Sequence, residues 1–184
     1  MNFKTITITV QLYVVKYSDN YKNISQATCT LIYYRIYIII LYLLQNVLRF
    51  WLDKGVDGFR IDAMIFLCED QRFLDEPLSG LTDDPNNYDY TEKIYTTNQP
   101  QTYDILPTWR KVLDEYEQPK YIMIEAYANI SDTMKYYHYG ADFPFNFYTI
   151  TNLTRTSTAA DIKNIVDLWY TNMPEGGTAN WVVS

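Results

Sequence analysis

Strand-like and helix-like patterns alternate along the chain from Gln45 onward, and this alternation limits the fold more than any other feature of the sequence. The strand-like runs cover residues 56–62, 121–125, 143–150 and 179–183. Apolar residues at helical spacing lie between these runs, around Trp51, Trp109 and Trp169. Strands that alternate with helices predict an α/β fold, with a parallel sheet and right-handed crossovers.

Two helix caps and one long loop can also be predicted. Ser131 is expected to cap a short helix, and either Ser157 or Thr158 is expected to cap the last helix, because hydroxyl side chains accept from free backbone N–H groups at helix starts. The polar stretch 69–104 is rich in Pro, Asp, Asn and Thr. We predict that it is an inserted loop region within one domain.

Residues 1–44 differ in composition from the rest of the chain. They contain no Gly, Pro, Trp or His, and they carry a net charge of +3 within a chain whose total is −7. Ile, Tyr, Asn, Lys and Phe make up half of the segment. A folded segment normally contains turn-forming residues, and these are missing here. We therefore predict that residues 1–44 lie outside the domain and that residues 45–184 form it.

Three interpretations of residues 1–44 compete. A membrane span is one, but the apolar run Leu31–Leu44 has 14 residues and contains Arg35, whereas a span needs about 18–20 apolar residues. A signal peptide is another, but the apolar region after Lys4 is interrupted by Thr and Gln and has no small-residue cleavage site. We favour the third, translated non-coding sequence joined to a genuine exon.

Composition excludes several classes of function. A net charge of −7 and an isoelectric point near 4.6 argue against a nucleic-acid-binding protein. Two cysteines, Cys29 and Cys68, are too few for a disulfide scaffold, and a single histidine, His138, excludes a His-rich metal centre within the chain. We predict no metal and no cofactor. Cys68 is expected to be a free buried thiol, and His138 a surface residue.

Two carboxylates end neighbouring strands of the predicted sheet. Residues two apart in a strand share a face, so Arg60 and Asp62 point the same way, and Asp62 is the last residue of its strand. Glu125 ends the next strand. Functional side chains gather at the carboxyl ends of parallel strands. Arg60 is expected to hold Asp62 ionised, whereas Glu125 has apolar neighbours and no evident cationic partner in the sequence, so its pKa is expected to rise.

One ionised and one protonated carboxyl are the groups that glycosidic cleavage requires. The alternative is that Arg60 and Asp62 form a structural ion pair and that Glu125 has no chemical role, since such pairs also perturb pKa values. Spacing alone leaves both interpretations open.

Several motifs resemble one family in order along the chain. Residues 58–63, Gly-Phe-Arg-Ile-Asp-Ala, resemble the nucleophile segment of glycoside hydrolase family 13, the α-amylase family, and residues 124–127 resemble its acid/base segment. Residues 47–62 are especially similar to insect maltases (α-glucosidases). Further similarities lie at residues 75–77, 95–96, 144–147 and 173–176. Several motifs in one order are more specific than any single motif.

The resemblance implies roles for four residues. Asp62 would be the nucleophile, Glu125 the acid/base, and Arg60 the group that positions Asp62. In similar enzymes a Val after the nucleophile accompanies α-1,6 cleavage, so Ala63 favours α-1,4 bonds. The implied activity is retaining hydrolysis of maltose and short malto-oligosaccharides. Retention requires carboxyl groups roughly 5–5.5 Å apart.

The resemblance also implies a (β/α)8 barrel, of which residues 45–184 would hold the third helix through the seventh strand. The family's first motif, with an Asp and a His, is not found in residues 1–44. The third catalytic carboxylate is expected just past residues 180–183, beyond the end of the sequence. We therefore expect the 184-residue chain alone to be inactive on maltose.

A second hypothesis comes from a different class of protein. Heavy subunits of heteromeric amino-acid transporters are similar to this family, carry one membrane segment before the barrel and often lack catalytic residues. The presence of Arg60, Asp62 and Glu125 favours the enzyme. Resemblance to the maltases implies a secreted or membrane-associated protein. Asn23, Asn129 and Asn152 each begin an Asn-x-Ser/Thr sequon, at which such a protein can carry glycans.

Overall fold

A computed structural model describes residues 4–9 and 26–182 of the chain. The strands are β1 (Thr5–Thr9), β2 (Gly58–Asp62), β3 (Tyr121–Ile124), β4 (Phe143–Asn146) and β5 (Asn180–Trp181). The helices are α1 (Gln26–Asp53), α2 (Pro100–Leu113), α3 (Ile130–His138), α4 (Tyr148–Thr151) and α5 (Ala159–Asn172). Short 3₁₀ helices lie at Met64–Phe66 and Tyr88–Tyr90.

The five strands form one parallel sheet in the order β1-β2-β3-β4-β5. Each strand after β1 therefore pairs with the strand before it. A helix lies between every two consecutive strands, and between β2 and β3 a long loop precedes the helix α2. Sequential pairing in one direction is the winding of a (β/α) barrel. The predicted α/β fold with a parallel sheet is confirmed.

The strands alternate between a buried face and a half-exposed face. Phe59 and Ile61 of β2 and Ile122 and Ile124 of β3 are almost fully buried. They belong to one core cluster, together with apolar side chains of α1 and α2 such as Trp109, which is 1% exposed. Burial of each such side chain stabilises the fold by roughly 1.5–3 kcal/mol. The core thus lies between sheet and helices, and Arg60, Asp62 and Glu125 lie on the other face.

The structure settles the predicted caps. Thr158, one of the two candidates, caps α5 in a capping box, in which its side chain accepts from the Asp161 N–H and the Asp161 carboxylate accepts from the Thr158 N–H. The prediction of Ser131 as a cap was wrong. Asn129 caps α3 instead, and its Oδ1 accepts from the Asp132 N–H at 2.9 Å. Asparagine is at least as good a cap as serine, so the helix begins two residues earlier.

Two predicted boundaries were also wrong. The loop region ends before residue 104, because α2 begins at Pro100, and proline is favoured in the first turn of a helix. The third predicted strand, 143–150, ends at Asn146 and gives way to α4. The aromatic residues beyond Asn146 resemble a strand in the sequence, but they lie in the turn after β4 and in α4.

Part of the segment 1–44 contributes to the sheet. β1 pairs with β2 in parallel register, and α1 passes residue 44 without a break. Residues 1–3 and 10–25 lie outside the described residues. The assignment of residues 1–44 to a region outside the domain stays a prediction. Over residues 4–9 and 26–182, no helix combines the length and the apolar character that crossing a membrane requires.

Gly58 sets how closely β2 approaches β3. A Cβ at Gly58 would overlap the backbone carbonyl of Tyr121, its partner in the sheet. We expect Gly58→Ala to lower the free energy of unfolding by about 3 kcal/mol, because the strands must separate. Denaturant unfolding of the purified chain measures this. Gly80→Ala is the control, because only the positive φ of Gly80, 71°, opposes that substitution. We expect it to lower the free energy of unfolding by about 1 kcal/mol. Equal losses at both positions would contradict the close approach.

Candidate active site

Asp62 and Glu125 lie side by side at the carboxyl edge of the sheet. Ile61 of β2 pairs with Ile124 of β3, and the residue that follows each of them is an acid. Two backbone hydrogen bonds join the strand ends: the Glu125 N–H donates to the Ile61 carbonyl at 2.9 Å, and the Met64 N–H donates to the Glu125 carbonyl at 3.1 Å. The register of the sheet therefore fixes the two acids relative to each other.

Arg60 lies between the two acids and contacts both. Its Nη2 donates to Asp62 Oδ1 at 3.1 Å and to Glu125 Oε2. The expectation that Glu125 has no cationic partner was wrong. Arg60 reaches it across the β2–β3 boundary, because the two residues share the half-exposed face of the sheet. The Glu125 side chain is 18% exposed and that of Asp62 is 30% exposed, so water reaches both acids from one side.

The pKa of Glu125 is raised above its ordinary value. Removal of the side chain from water is the largest cause, and a hydrogen bond with the Asp62 carboxyl is the next. Arg60 opposes both effects without reversing the direction. A hydrogen bond between two carboxyl groups needs a proton on one of them, so the pair retains a proton above the pH at which an isolated Glu loses it. The predicted direction of the shift is confirmed.

An aromatic ring of β4, two strands from β2, supports Arg60. The guanidinium carbon lies 5.6 Å from the centre of the Phe145 ring, within the range of a cation–π contact. The Arg60 Nε is buried and has no hydrogen-bond partner among the described residues. The ring and the two acids thus fix the guanidinium group, although the side chain remains 40% exposed.

Ala63 turns the chain sharply after Asp62. Its φ of 51° and ψ of 36° lie in the left-handed region, which residues with a Cβ rarely occupy. The turn leads into the 3₁₀ helix Met64–Phe66 and directs the Met64 N–H toward the Glu125 carbonyl. Ala63 therefore helps to join the two strand ends, a structural role that the sequence did not indicate.

A cavity of about 310 Å³ opens past the ends of β3 and β4, and Ala126, which follows Glu125, is among its lining residues. Tyr127 and Phe147 line it and stack on each other with ring centres 3.9 Å apart. Tyr127 is 53% exposed, so one side of its ring is open to solvent. Both residues lie within three positions of the end of a strand, and this position was the signal in the sequence that could have indicated a role at the site. The sequence analysis gave them no role.

Cys68 and His138 are placed as predicted. Cys68 is a buried free thiol, and burial raises its pKa to about 11. His138 is exposed at the end of α3. In the described part of the chain, no cluster of three or more His, Cys, Asp or Glu side chains could hold a metal ion.

Enzymes built on (β/α)8 barrels carry their functional side chains at the carboxyl edge of a parallel, sequentially paired sheet. The fold and the carboxylate pair of this chain agree with that class. A family model described as "Alpha amylase, catalytic domain" matches residues 40–184. The chain belongs to this family, glycoside hydrolase family 13, and forms part of its barrel.

Two of the similar proteins are insect enzymes. The chain is 60% identical over 139 residues to "Alpha-glucosidase" of Apis mellifera and 47% identical over 150 residues to "Maltase 1" of Drosophila virilis. Each match covers 76% of this chain and 24% of the relative. The chain therefore spans about a quarter of the length of these relatives.

A solved enzyme structure and a human protein of lower identity are also similar to this chain. The crystal structure of the alpha-glucosyl transfer enzyme XgtA has a TM-score of 0.68 and 26% identity, covering 80% of this chain and 28% of that enzyme. The human "Amino acid transporter heavy chain SLC3A1" is 36% identical over 152 residues, covering 76% of this chain and 22% of that protein. The stronger similarity to α-glucosidases favours the enzyme hypothesis over the transporter subunit.

The raised pKa of Glu125 makes stability depend on pH. Because the folded chain holds this proton more tightly, the stabilising effect is complete below the unfolded pKa of about 4.3 and is lost as pH rises through the folded value. Glu125→Gln removes this loss. We expect the melting temperature of the variant, relative to the parent, to increase between pH 4 and pH 7.

Glu115→Gln is a control of opposite sign. A hydrogen bond from Arg49 lowers the pKa of Glu115, so its contribution is present at neutral pH and lost as pH falls. Relative to the parent, this variant should therefore become less stable between pH 4 and pH 7. The same slope for both variants would contradict the assigned environments.

The buried Cys68 thiol is expected to react slowly with thiol reagents. A pKa of about 11 lowers the thiolate fraction near pH 8 by about two orders of magnitude relative to an ordinary cysteine. In a Cys29→Ser chain, which leaves one thiol, the rate of labelling by an aromatic disulfide should rise at least about a hundredfold on unfolding in denaturant. Equal rates would show that Cys68 is accessible.

Proposed function

We propose that this chain supplies the nucleophile and the acid/base of a retaining α-glucosidase. Its substrates are maltose and short malto-oligosaccharides with α-1,4 bonds. The observation that carries the proposal is the pairing of Asp62 and Glu125 at the ends of adjacent parallel strands, with Arg60 hydrogen-bonded to both. The 60% identity to an insect α-glucosidase over the same residues supports it.

The two acids lie in different environments. Glu125 is the more enclosed, and removal from water raises its pKa, which suits a proton donor. Asp62 is more exposed and accepts a hydrogen bond from the positively charged Arg60, which suits a carboxylate nucleophile. These environments support Glu125 as the acid and Asp62 as the nucleophile.

The reaction then proceeds in two displacements. An Asp62 carboxylate oxygen attacks the anomeric carbon, while Glu125 gives its proton to the departing glycosidic oxygen. The bond to the leaving sugar breaks and a covalent glucosyl ester forms. Glu125, now ionised, takes a proton from water, and the water oxygen displaces Asp62 with a second inversion. Arg60 stays bonded to the Asp62 carboxylate and orients it.

Substrate must reach the space between the two acids. Retaining enzymes hold their carboxyl groups roughly 5–5.5 Å apart, and here Arg60 joins Asp62 and Glu125 through one nitrogen. We expect a glucosyl unit to take over part of these contacts. The cavity beside Tyr127 is suited to the leaving sugar, because aromatic faces pack against sugar rings. Ala63 leaves more room beside the nucleophile than a branched residue, in agreement with α-1,4 substrates.

A segment exchange tests the proposal in a complete enzyme. Residues 45–184 of this chain replace the matching segment of the Apis mellifera α-glucosidase, and maltose hydrolysis is measured. We expect the exchanged enzyme to be active and Asp62→Asn or Glu125→Gln to reduce kcat by at least about a hundredfold. Asp167→Asn is the control, because its exposed ion pair with Lys163 lies on α5, away from the acids. A folded exchanged enzyme in which Asp62→Asn keeps full activity would contradict the proposal.

Azide separates the two roles. Removal of the acid/base by Glu125→Gly still allows the covalent ester to form from an activated substrate, and azide then gives α-glucosyl azide. Removal of the nucleophile by Asp62→Gly lets azide attack the substrate directly, which gives the β product. A merely structural role for either residue predicts no rescue. The reverse stereochemistry would exchange the two assignments.

A further inference from the structure

Asn98 ends the long loop region, two residues before α2 begins at Pro100. Its φ of 50° lies in the left-handed region, which a residue with a Cβ rarely occupies, although Asn tolerates it better than most. A residue other than glycine persists in this conformation only where its surroundings fix the backbone. The surroundings of Asn98 are the turn after Asp62 on one side and two helices on the other.

The backbone of Asn98 is joined to the turn that follows β2. Its N–H donates to the carbonyl of Ile65 at 2.8 Å. Ile65 is the middle residue of the 3₁₀ helix Met64–Phe66, which itself donates the Met64 N–H to the Glu125 carbonyl at 3.1 Å. The turn is therefore held from the end of β3 and, independently, from Asn98.

The side chain of Asn98 is joined to two buried tyrosines. Its Oδ1 accepts from the hydroxyl of Tyr136 in α3 at 3.2 Å and from the hydroxyl of Tyr103 in α2 at 3.4 Å. Both side chains are almost fully buried, and their rings pack with centres 4.9 Å apart. Hydroxyl groups buried to this extent require hydrogen-bond partners. The two helices thus fix the amide of Asn98, and with it the backbone that binds Ile65.

Position 98 combines two requirements. Its backbone favours Gly, Asn or Asp, because these residues tolerate a positive φ. The two tyrosine hydroxyls require a side-chain oxygen, which Gly lacks and which Asn and Asp place at the same point. The two requirements can therefore be separated by substitution, since Gly meets the first and Asp meets both.

The position of Asp62 depends on the turn that Asn98 holds. Asp62 is the last residue of β2, so the sheet fixes its backbone on one side and the turn fixes it on the other. Its side chain is 30% exposed and lies on the face opposite the core, so apolar packing does not set its orientation. Displacement of a reacting group by about 1 Å can lower a rate about a hundredfold.

We propose that Asn98 is a positioning residue for the nucleophile Asp62. It acts through Ile65 and the turn after β2, and it makes the orientation of the nucleophile depend on the packing of α2 against α3. The proposal rests on the α-glucosidase function proposed above, because it assigns to Asn98 a part in the first displacement of that reaction.

The exchanged enzyme described above allows a test by kinetics. We expect Asn98→Gly, which keeps the backbone N–H and the positive φ but loses the acceptor, to lower kcat for maltose by at least about tenfold. Asn98→Asp keeps the acceptor and should retain kcat within about threefold. In an Asp62→Asn background, the Kd of maltose should be the same with and without Asn98→Gly, because Asn98 acts on the nucleophile and not on substrate binding.

A second substrate shows which acid Asn98 positions. The leaving group of 4-nitrophenyl α-glucoside needs little help from a proton donor, so its cleavage depends on Asp62 more than on Glu125. We expect Asn98→Gly to lose the same factor on this substrate as on maltose. A loss confined to maltose would show that Glu125 is displaced and would overturn the proposal.

Thr158→Ala separates positioning from stability. It removes the capping box of α5 and lowers the melting temperature, but it leaves the turn after β2 unchanged. We expect this variant to retain the parent kcat at a temperature at which both variants are folded. Parent kcat in Asn98→Gly would overturn the proposal, whereas full activity in Asp62→Asn would instead contradict the α-glucosidase function itself.

Hydrogen exchange in the full 184-residue chain gives a readout that needs no activity. Loss of the side-chain contacts of Asn98 should loosen the turn, so the Met64 N–H should exchange at least about tenfold faster in Asn98→Gly than in Thr158→Ala. In Asn98→Asp the rate should match the parent. Equal exchange in Asn98→Gly and Thr158→Ala would overturn the proposal.

Discussion

The register between β2 and β3 is the constraint on which the rest of the site depends. Ile61 pairs with Ile124, and both point into the core. A slip of one residue would turn Glu125 toward the helices and bury its charge. The close contact at Gly58 and the two backbone hydrogen bonds at the other end hold this register. The packing of apolar side chains on one face thus determines which acids meet on the other.

Arg60 hydrogen-bonds with both acids through one nitrogen. A single guanidinium between two carboxylates cannot neutralise both charges, which favours retention of a proton by the pair, in agreement with the raised pKa of Glu125. The guanidinium also reduces the repulsion between two acids at the edge of a sheet. Phe145 contributes by limiting how far the guanidinium can move.

Much of this could be predicted from the sequence. Strand-like runs and helical spacing identified β2 to β5 and the main helices, and the ends of the first two runs identified Asp62 and Glu125. β1 was not predicted, because the composition of residues 1–44 placed them outside the domain. The contact from Arg60 to Glu125 could not be predicted, because it depends on the distance between strands and on side-chain reach. The Asn129 cap was missed because three polar residues near α3 were all plausible caps. The end of β4 was missed because Phe147 suits a strand and a packed turn equally well.

The left-handed turn at Ala63 limits how this lineage of enzymes can change. In similar enzymes the residue after the nucleophile differs with the bond that is cleaved, and valine is one of the alternatives. A β-branched residue at a φ of 51° is strongly disfavoured. A valine at this position would strain the turn that directs the Met64 N–H toward the Glu125 carbonyl. A change at residue 63 therefore alters backbone conformation at the same time as the side chain beside Asp62.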